Sequence, residues 1–150
     1  MNRAAAAEFE RYLHAQIPLT QAMAISVMRV DDQSVRLRAA LAPNLNHQQS
    51  AFGGSIATLA ITAAWAYVHV RLRREGCAST VVIQRNSVDF LAPARNDIEA
   101  YCAAPTVSQW LRFLDVLKRK GKARIDMHAV VEAGDLLVAR FEGRYIALRD

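Results

Sequence analysis

The sequence predicts a single α+β domain in which an antiparallel sheet of about six strands curves around one long helix. First, the segment from Gly53 to about Arg74 is apolar on nearly every side over its first two-thirds, so most of its surface must be enclosed. Second, six other segments have the composition of strands, and most alternate apolar with polar side chains. Third, the helical segments are too few to supply the crossovers of a parallel sheet.

The other elements follow in an order that such a sheet can use. Residues 4–15 predict a helix that Pro18 ends, and residues 107–117 predict another. A hairpin turn is expected at 31–33, and Gly76 is a natural stop for the long helix. The predicted strands are 23–27, 35–41, 80–91, 97–103, 122–132 and 136–148. A sheet wrapped on one helix leaves an edge and one side of the helix to be covered, and the strand at 80–91 is apolar on both faces near its start. We therefore expect a homodimer, or a higher oligomer built from it.

The amino-acid composition is typical of a globular protein. With 53% hydrophobic and 22% charged residues, the 150-residue chain suits one globular domain over residues 1–150. Cys77 and Cys102 lack metal-site spacing, so we expect free thiols, a reducing cytoplasm and no metal. The N-terminus lacks the apolar core of a signal peptide, and the apolar run 56–68 is shorter than the ~20 residues of a membrane span. The net charge of +5 suits an anionic partner, but no nucleic-acid-binding motif is present, and we expect no membrane partner.

The polar stretch NLNHQQSAFGGS, residues 44–55, leads directly into the apolar helix. The first N–H groups of a helix lack partners within it, and the helix dipole places partial positive charge there. Gly53 and Gly54 have no Cβ to keep a ligand oxygen away from these amides. Ser55 could donate a further hydrogen bond at the same point. The stretch is either a site that polarises a carbonyl or a tight turn in which the glycines only permit close packing.

Four sequence stretches resemble a known family. They are APNLNHQQSAFGGSIATLAI, VVIQRNSVDFLAPA, RKGKARIDMHAVV and FEGRYIAL. They look like thioesterases of the YiiD C-terminal type, and the similarity extends over residues 17–148. The resemblance implies a hot-dog fold, in which a curved sheet wraps one helix, and an acyl-thioester substrate. It implies no cofactor other than the coenzyme A of the substrate itself.

A more distant resemblance to acyl-CoA thioesterases of the phenylacetate-pathway type concerns the pattern N-H-x-G-T-x-H-G-G. Asn46 begins the matching pattern here, with His47 after it and Gly53-Gly54 as its glycine pair. Phe52 stands where those enzymes have histidine, and Ile61 stands where they have the catalytic aspartate. The long helix has no carboxylate before Glu75, so the resemblance implies the ligand class better than the mechanism.

Several polar residues are candidates for handling the thioester or the attacking water. Asn46 could orient either one, although an amide cannot be a general base at neutral pH and an asparagine here is also typical of an Asx turn. Asn44 suits a binding role or a turn. His47 could act as a base or be merely solvated. Asp89 could be a base or position water, because the resemblance places its segment near the helix mouth of the partner, and its alternative is a surface or ion-paired residue. Ser55 lacks a nucleophile elbow, which disfavours a serine nucleophile.

The run KRKGKAR predicts a second binding surface. Its basic residues Lys118, Arg119, Lys120 and Lys122 could bind coenzyme A phosphates or an acidic carrier protein, or they could be a solvated helix end. Trp65, Tyr67 and Trp110 suit the core or the lining of an acyl pocket.

These features leave three functions. The first is a dimeric acyl-CoA or acyl-carrier thioesterase. The second is a non-catalytic acyl-thioester binding module, which the missing helix aspartate favours. The third is a hydratase or dehydratase, which would need a histidine or carboxylate pair at the loop and helix.

Overall fold

The computed structural model describes residues 3–150. Four α-helices and six strands follow one another along the chain. The helices are α1 (Arg3–Gln16), α2 (Pro18–Ala22), α3 (Gly53–Arg74) and α4 (Val107–Lys120). The strands are β1 (Ile25–Val30), β2 (Ser34–Ala39), β3 (Ser79–Phe90), β4 (Ile98–Ala103), β5 (Lys122–Ala133) and β6 (Leu136–Arg149). A 3₁₀ turn at Ala42–Asn44 precedes the loop that enters α3.

All six strands form one antiparallel sheet in the order β1-β2-β4-β5-β6-β3. The predicted antiparallel sheet of six strands is therefore confirmed. The strand boundaries agree with the sequence pattern except at β1, which starts at Ile25 because Met23 still belongs to the end of α2. Pro18 does end α1, but it also begins α2, since proline fits the first turn of a helix.

The sheet encloses α3, as its apolar sequence predicts. Side chains of α3 with no exposed surface include Leu59, Ala63 and Leu72. The tyrosine at position 145 lies on the inner face of β6 and donates a hydrogen bond of 2.7 Å from its hydroxyl to the carbonyl of Ile61. Ala57, Thr58, Ile61 and Trp65 remain half-buried. The enclosure of α3 is thus incomplete along one stripe.

The aromatic residues of α3 and α4 and the two cysteines contribute to the core. Trp110 of α4 is buried and meets Tyr67 of α3 edge-on, with ring centroids 6.1 Å apart, so both aromatic residues belong to the core. Cys77 and Cys102 are buried free thiols, as expected. Burial raises the pKa of Cys102 to about 12. By length and composition α3 could cross a membrane, but 61% of its apolar window is buried inside the sheet.

The two edges of the sheet differ. The edge of β1 is covered by α1: the backbone N–H of Val27 donates to the Glu10 carboxylate at 2.8 Å, and His14 Nε2 lies 2.8 Å from the carbonyl oxygen of Ile25. The edge of β3 is twelve residues long. Over residues 3–150, one hydrogen bond reaches the backbone of β3 from outside the sheet, from the Trp65 indole to the carbonyl of Val81 at 2.8 Å. Most of β3 therefore presents an open edge.

Candidate active site

The start of α3 presents two free backbone donors. Phe52 precedes the helix in an extended conformation, and no side chain caps the helix end. The N–H groups of Ser55 and Ile56 donate to the carbonyl of Phe52 at 2.9 and 3.1 Å. Within residues 3–150 the N–H groups of Gly53 and Gly54 have no hydrogen-bond acceptor. These two amides, at the positive end of a 22-residue helix, can stabilise negative charge on a ligand oxygen.

Two aromatic rings flank these amides. A Cβ added at Gly54 would overlap the ring of Phe52, whereas one at Gly53 would meet the ring of Phe90 at 3.5 Å, an ordinary contact. The rings of Phe52 and Phe90 are each 56% exposed. We refer to Gly53, Gly54, Phe52 and Phe90 together as the helix mouth. The absence of a Cβ at Gly54 leaves room for the ring of Phe52, and the walls of the mouth are apolar.

Asn46 uses its side-chain amide within its own loop. Its Oδ1 accepts from the backbone N–H groups of Gln48 and Ser50 at 2.8 and 3.1 Å, and its Nδ2 donates to the Ser50 hydroxyl at 3.0 Å. This is the Asx-turn geometry that the sequence left open as an alternative. The catalytic role of Asn46 stays a prediction. In this structure its amide shapes the loop rather than facing the glycines.

Asn44 is 2% exposed and anchors the loop from beneath. Its Nδ2 donates to the carbonyls of Met23 and Ala40 at 2.9 and 2.7 Å, and its own carbonyl accepts from the Phe52 N–H at 2.7 Å. Its Oδ1 is buried with no hydrogen-bond partner among the described residues. Asn44 thus holds the backbone of the loop in place and positions Phe52 at the start of α3. These bonds explain a buried asparagine here without a role in binding.

His47 and Ser55 remain available for chemistry. His47 is exposed at the tip of the loop, and it is the one titratable side chain in the stretch 44–55. Ser55 is half-buried in the first turn of α3. Neither side chain has a hydrogen bond within the described part of the chain, so both are free to meet a ligand.

Asp89 lies on the other face of the sheet from the helix mouth. Successive side chains of a strand point to opposite faces, and the neighbouring Phe90 is the one that reaches Gly53. Asp89 is exposed and pairs in register with Arg140 of β6. Its predicted role as base stays a prediction, and the structure does not bring it to the mouth. Phe90 is not among the residues predicted for the site, although the alternation of β3 could have identified it.

The helix that opens at the mouth has no acid on its first five turns. Ile61, eight residues after Gly53, is half-buried, and its carbonyl is taken by Tyr145. Burial raises the pKa of Tyr145, so its phenol stays protonated and can donate to the Ile61 carbonyl. Over residues 3–150 no group of three or more His, Cys, Asp or Glu side chains could hold a metal ion. Within the stretch 44–55, the groups without a hydrogen bond to the described chain that could act on a ligand include the two glycine amides, His47 and Ser55.

The basic run lies at the opposite end of the sheet. Lys118, Arg119 and Lys120 form the last turn of α4, Gly121 ends the helix with φ +74°, and Lys122 begins β5. Lys122 pairs with Leu148, which pairs with Thr80 at the start of β3. The helix mouth lies at the far end of β3, beside Phe90. A single chain does not bring these cations to the mouth.

Comparison with known proteins agrees with this architecture. A structure of a protein of unknown function from Chlorobaculum tepidum TLS superposes with a TM-score of 0.90 and 29% identity, covering 97% of this chain and 95% of that one. A structure described as a putative thioesterase from Shewanella oneidensis gives a TM-score of 0.85 and 24% identity, with 95% and 96% covered. A mutant of phenylacetic acid degradation protein PaaI from Thermus thermophilus gives 0.65 and 19%, with 87% and 98% covered.

The fold is that of the hot-dog superfamily, whose structural relatives here include proteins described as thioesterases. The family model described as "Putative thioesterase (yiiD_Cterm)" matches residues 6–149. The chain belongs to this thioesterase family, which confirms the resemblance found in the sequence.

Proposed function

We propose that the protein is an acyl-CoA or acyl-carrier-protein thioesterase that polarises the thioester carbonyl with the N–H groups of Gly53 and Gly54. The observation that carries this proposal is the pair of unpaired amides at the start of an enclosed helix, between two exposed phenylalanine rings. Preorganised donors of this kind stabilise the oxyanion of the tetrahedral intermediate, and each contributes about 3 kcal/mol.

The proposed reaction is hydrolysis. A water oxygen attacks the carbonyl carbon, the C–S bond breaks, and the sulfur leaves as a thiolate that takes up a proton from that water. The products are a carboxylic acid and free thiol. His47 is our first candidate to accept the water proton, because it is the titratable side chain of the loop that enters the mouth. Ser55 is placed to donate to the same oxyanion or to orient the water.

We further propose that the protein acts as a homodimer joined along β3. The open twelve-residue edge of β3 supports this, because exposed edges of this length pair with another chain unless they are blocked. The half-buried stripe of α3, including Ile61 and Trp65, lies on the incompletely enclosed side and provides apolar surface for the same partner. The buried free thiols support a reducing compartment, and we assign the protein to the cytoplasm on that basis.

Release of free thiol from acyl-CoAs of different chain length tests the enzyme proposal. Gly54→Val forces the Phe52 ring away and crowds the amides, so kcat should fall about a hundredfold. Gly76→Ala is the matched control: it strains a positive φ at the other end of the same helix and should lower stability without lowering kcat. Equal kcat for Gly54→Val and wild type would overturn the role of the mouth.

A non-catalytic acyl-thioester binding module is the second candidate, favoured by the apolar residue Ile61 at the position eight after Gly53. Wild-type protein that binds several acyl-CoAs at micromolar concentration but releases no thiol from any of them would establish this function and reject the enzyme. His47→Ala and Asn46→Ala divide the remaining roles. We expect a large loss of kcat for the first and a smaller one for the second, whose amide holds the loop.

A further inference from the structure

Three lysines near the end of α4 are cations without a carboxylate partner. Lys118, Lys120 and Lys122 are exposed and form no ion pair with any residue of the described chain, whereas their neighbour Arg119 is paired with Asp115 at 3.0 Å. We call these three residues the lysine cluster. Unpaired ammonium groups at the junction of α4 and β5 suit a ligand with several negative charges, such as the phosphates of coenzyme A.

The lysine cluster is too far from the helix mouth of its own chain to share a ligand with it. Strand register puts Lys122 level with Thr80, and Phe90 of the mouth is ten residues further along the same strand. Ten residues of strand span roughly 33 Å. An extended pantetheine arm, which joins the thioester to the phosphates, is about as long as four to five extended residues, roughly 16 Å.

Pairing along β3 removes this discrepancy. Antiparallel pairing of two copies of β3 reverses the second copy, so that its Thr80 end comes to lie beside the Phe90 end of the first. β5, where Lys122 begins, is two strands in from that edge. With strands about 4.8 Å apart, the cluster of the second subunit is then about 15 Å from the outer strand of the first. An extended pantetheine arm covers that distance.

We propose that the lysine cluster of each subunit binds the phosphates of the coenzyme A thioester held at the helix mouth of the other subunit. This inference rests on the proposed thioesterase function and on the dimer along β3. It assigns the two ends of the substrate to two chains: the acyl thioester to one mouth, and the nucleotide end to the other subunit's lysines. Each site is incomplete in a monomer.

Mixed dimers test whether the lysines act in trans. One subunit carries Gly54→Val, which closes its mouth, and keeps its lysines; the other carries Lys118→Gln, Lys120→Gln and Lys122→Gln and keeps its mouth. Two affinity tags isolate the mixed dimer. Action in trans leaves one complete site, so kcat/KM for acyl-CoA should be about half that of wild type. Action in cis leaves no complete site in the mixed dimer. A kcat/KM of the mixed dimer no higher than half that of the triple-glutamine homodimer would therefore overturn the proposal.

The homodimers give the reference values. The triple-glutamine homodimer should lose at least roughly tenfold in kcat/KM for acyl-CoA, mainly through KM, and the loss should shrink as salt rises because phosphate contacts are screened. The loss for the matching acyl-pantetheine, which has no nucleotide phosphates, should be several-fold smaller. Equal losses on both substrates would reject phosphate binding.

A control variant with the same change in net charge tests whether the loss is specific to the lysine cluster. Arg3→Gln, Arg11→Gln and Arg140→Gln together change the net charge equally at exposed positions outside the mouth and the cluster. This triple variant should resemble wild type, and a loss equal to that of the lysine variant would show a general charge effect and overturn the assignment.

The outcomes separate this inference from the function on which it rests. If wild type releases no thiol, the proposed enzyme activity is rejected. The mixed dimers are then compared by the stoichiometry of acyl-CoA binding, and we expect one binding site per dimer if the lysines act in trans. Wild type that is active as a monomer rejects both the dimer and the trans arrangement. Wild type that is active and dimeric, with no recovery in the mixed dimer, rejects the trans lysines alone.

Discussion

The two edge strands of the sheet differ in how far the rest of the chain covers them. β1 has six residues, and α1 lies along it with Glu10 and His14 bonded to its backbone. β3 has twelve residues and receives one such bond, from Trp65. Sheet edges that proteins leave unprotected attract other strands, and long ones do so most strongly. The contrast shows that β1 is closed within the chain whereas most of β3 is open, which is what the proposed dimer requires.

The largest expected effect comes from blocking the open edge. Val82, the fourth residue of β3, is 46% exposed, and Val82→Lys places a charge on the edge, a substitution that disfavours edge-to-edge pairing. We expect the dimer dissociation constant, measured by sedimentation or light scattering, to rise roughly a hundredfold, equivalent to about 2.7 kcal/mol. Val107→Lys makes the same change at an exposed position of α4 and should leave the dimer intact. Unchanged association of Val82→Lys would show that β3 is not the interface.

An intermediate effect is expected from uncovering the closed edge. Glu10→Ala removes the acceptor of the Val27 N–H, a charge-assisted hydrogen bond at a half-buried site. The free energy of unfolding should fall by about 1–2 kcal/mol. Glu8→Ala, two residues away on the same helix and exposed, is the control and should be nearly neutral. If both variants unfold at the same denaturant concentration, the Glu10 carboxylate does not protect β1.

The smallest effect concerns how α1 is held against the sheet and α3. His69 of α3 stacks on Trp65 at 4.6 Å and on Tyr12 of α1 at 5.4 Å between ring centroids. Burial, and secondarily the charge of Arg73, lowers the pKa of His69 below its ordinary value of 6.5. The unfolded chain therefore binds this proton more readily than the folded one. The stability due to neutral His69 is present above pH 6.5 and is lost as the pH falls below it.

His69→Phe keeps an aromatic ring in the stack and removes the titration. Urea unfolding of both proteins at about pH 7.5 and about pH 5.5, on either side of the ordinary histidine pKa, should show that the variant loses less stability on acidification than wild type does. If wild type and His69→Phe lose the same free energy of unfolding at the lower pH, His69 does not contribute to the pH dependence. The aromatic stack then tolerates a protonated His69.

Much of the fold follows from local pattern. The long apolar run from Gly53 and the alternation of β5 and β6 predict their elements almost to the residue, because burial on one side imposes a period that the sequence must repeat. The short α2 was not predicted, since Pro18 is compatible with both the end of one helix and the start of the next. The coverage of β1 by Glu10 joins residues 17 apart, and no local pattern records such a contact.

The site was harder to predict than the fold. Gly53 and Gly54 were identified mostly because they match the glycine pair of the acyl-CoA thioesterases that the sequence resembles, and because a helix start exposes unpaired amides. Asn46 could not be separated from an Asx turn, because its own loop provides enough donors to satisfy its amide. Asp89 was chosen because hot-dog enzymes place its segment near the helix mouth of the partner, which a single chain does not test; within the chain, strand parity gives the helix side to Phe90. The distance between the lysine cluster and the mouth depends on strand order, which the sequence pattern does not specify.

The ring of Phe52 lies against Gly54, and Phe52 is 56% exposed. Exposed side chains rotate on the picosecond to nanosecond timescale, far faster than loops open or enzymes turn over. In the proposed thioesterase, rotation of this one aromatic side chain would change the access of a substrate to the two amides much faster than the enzyme turns over.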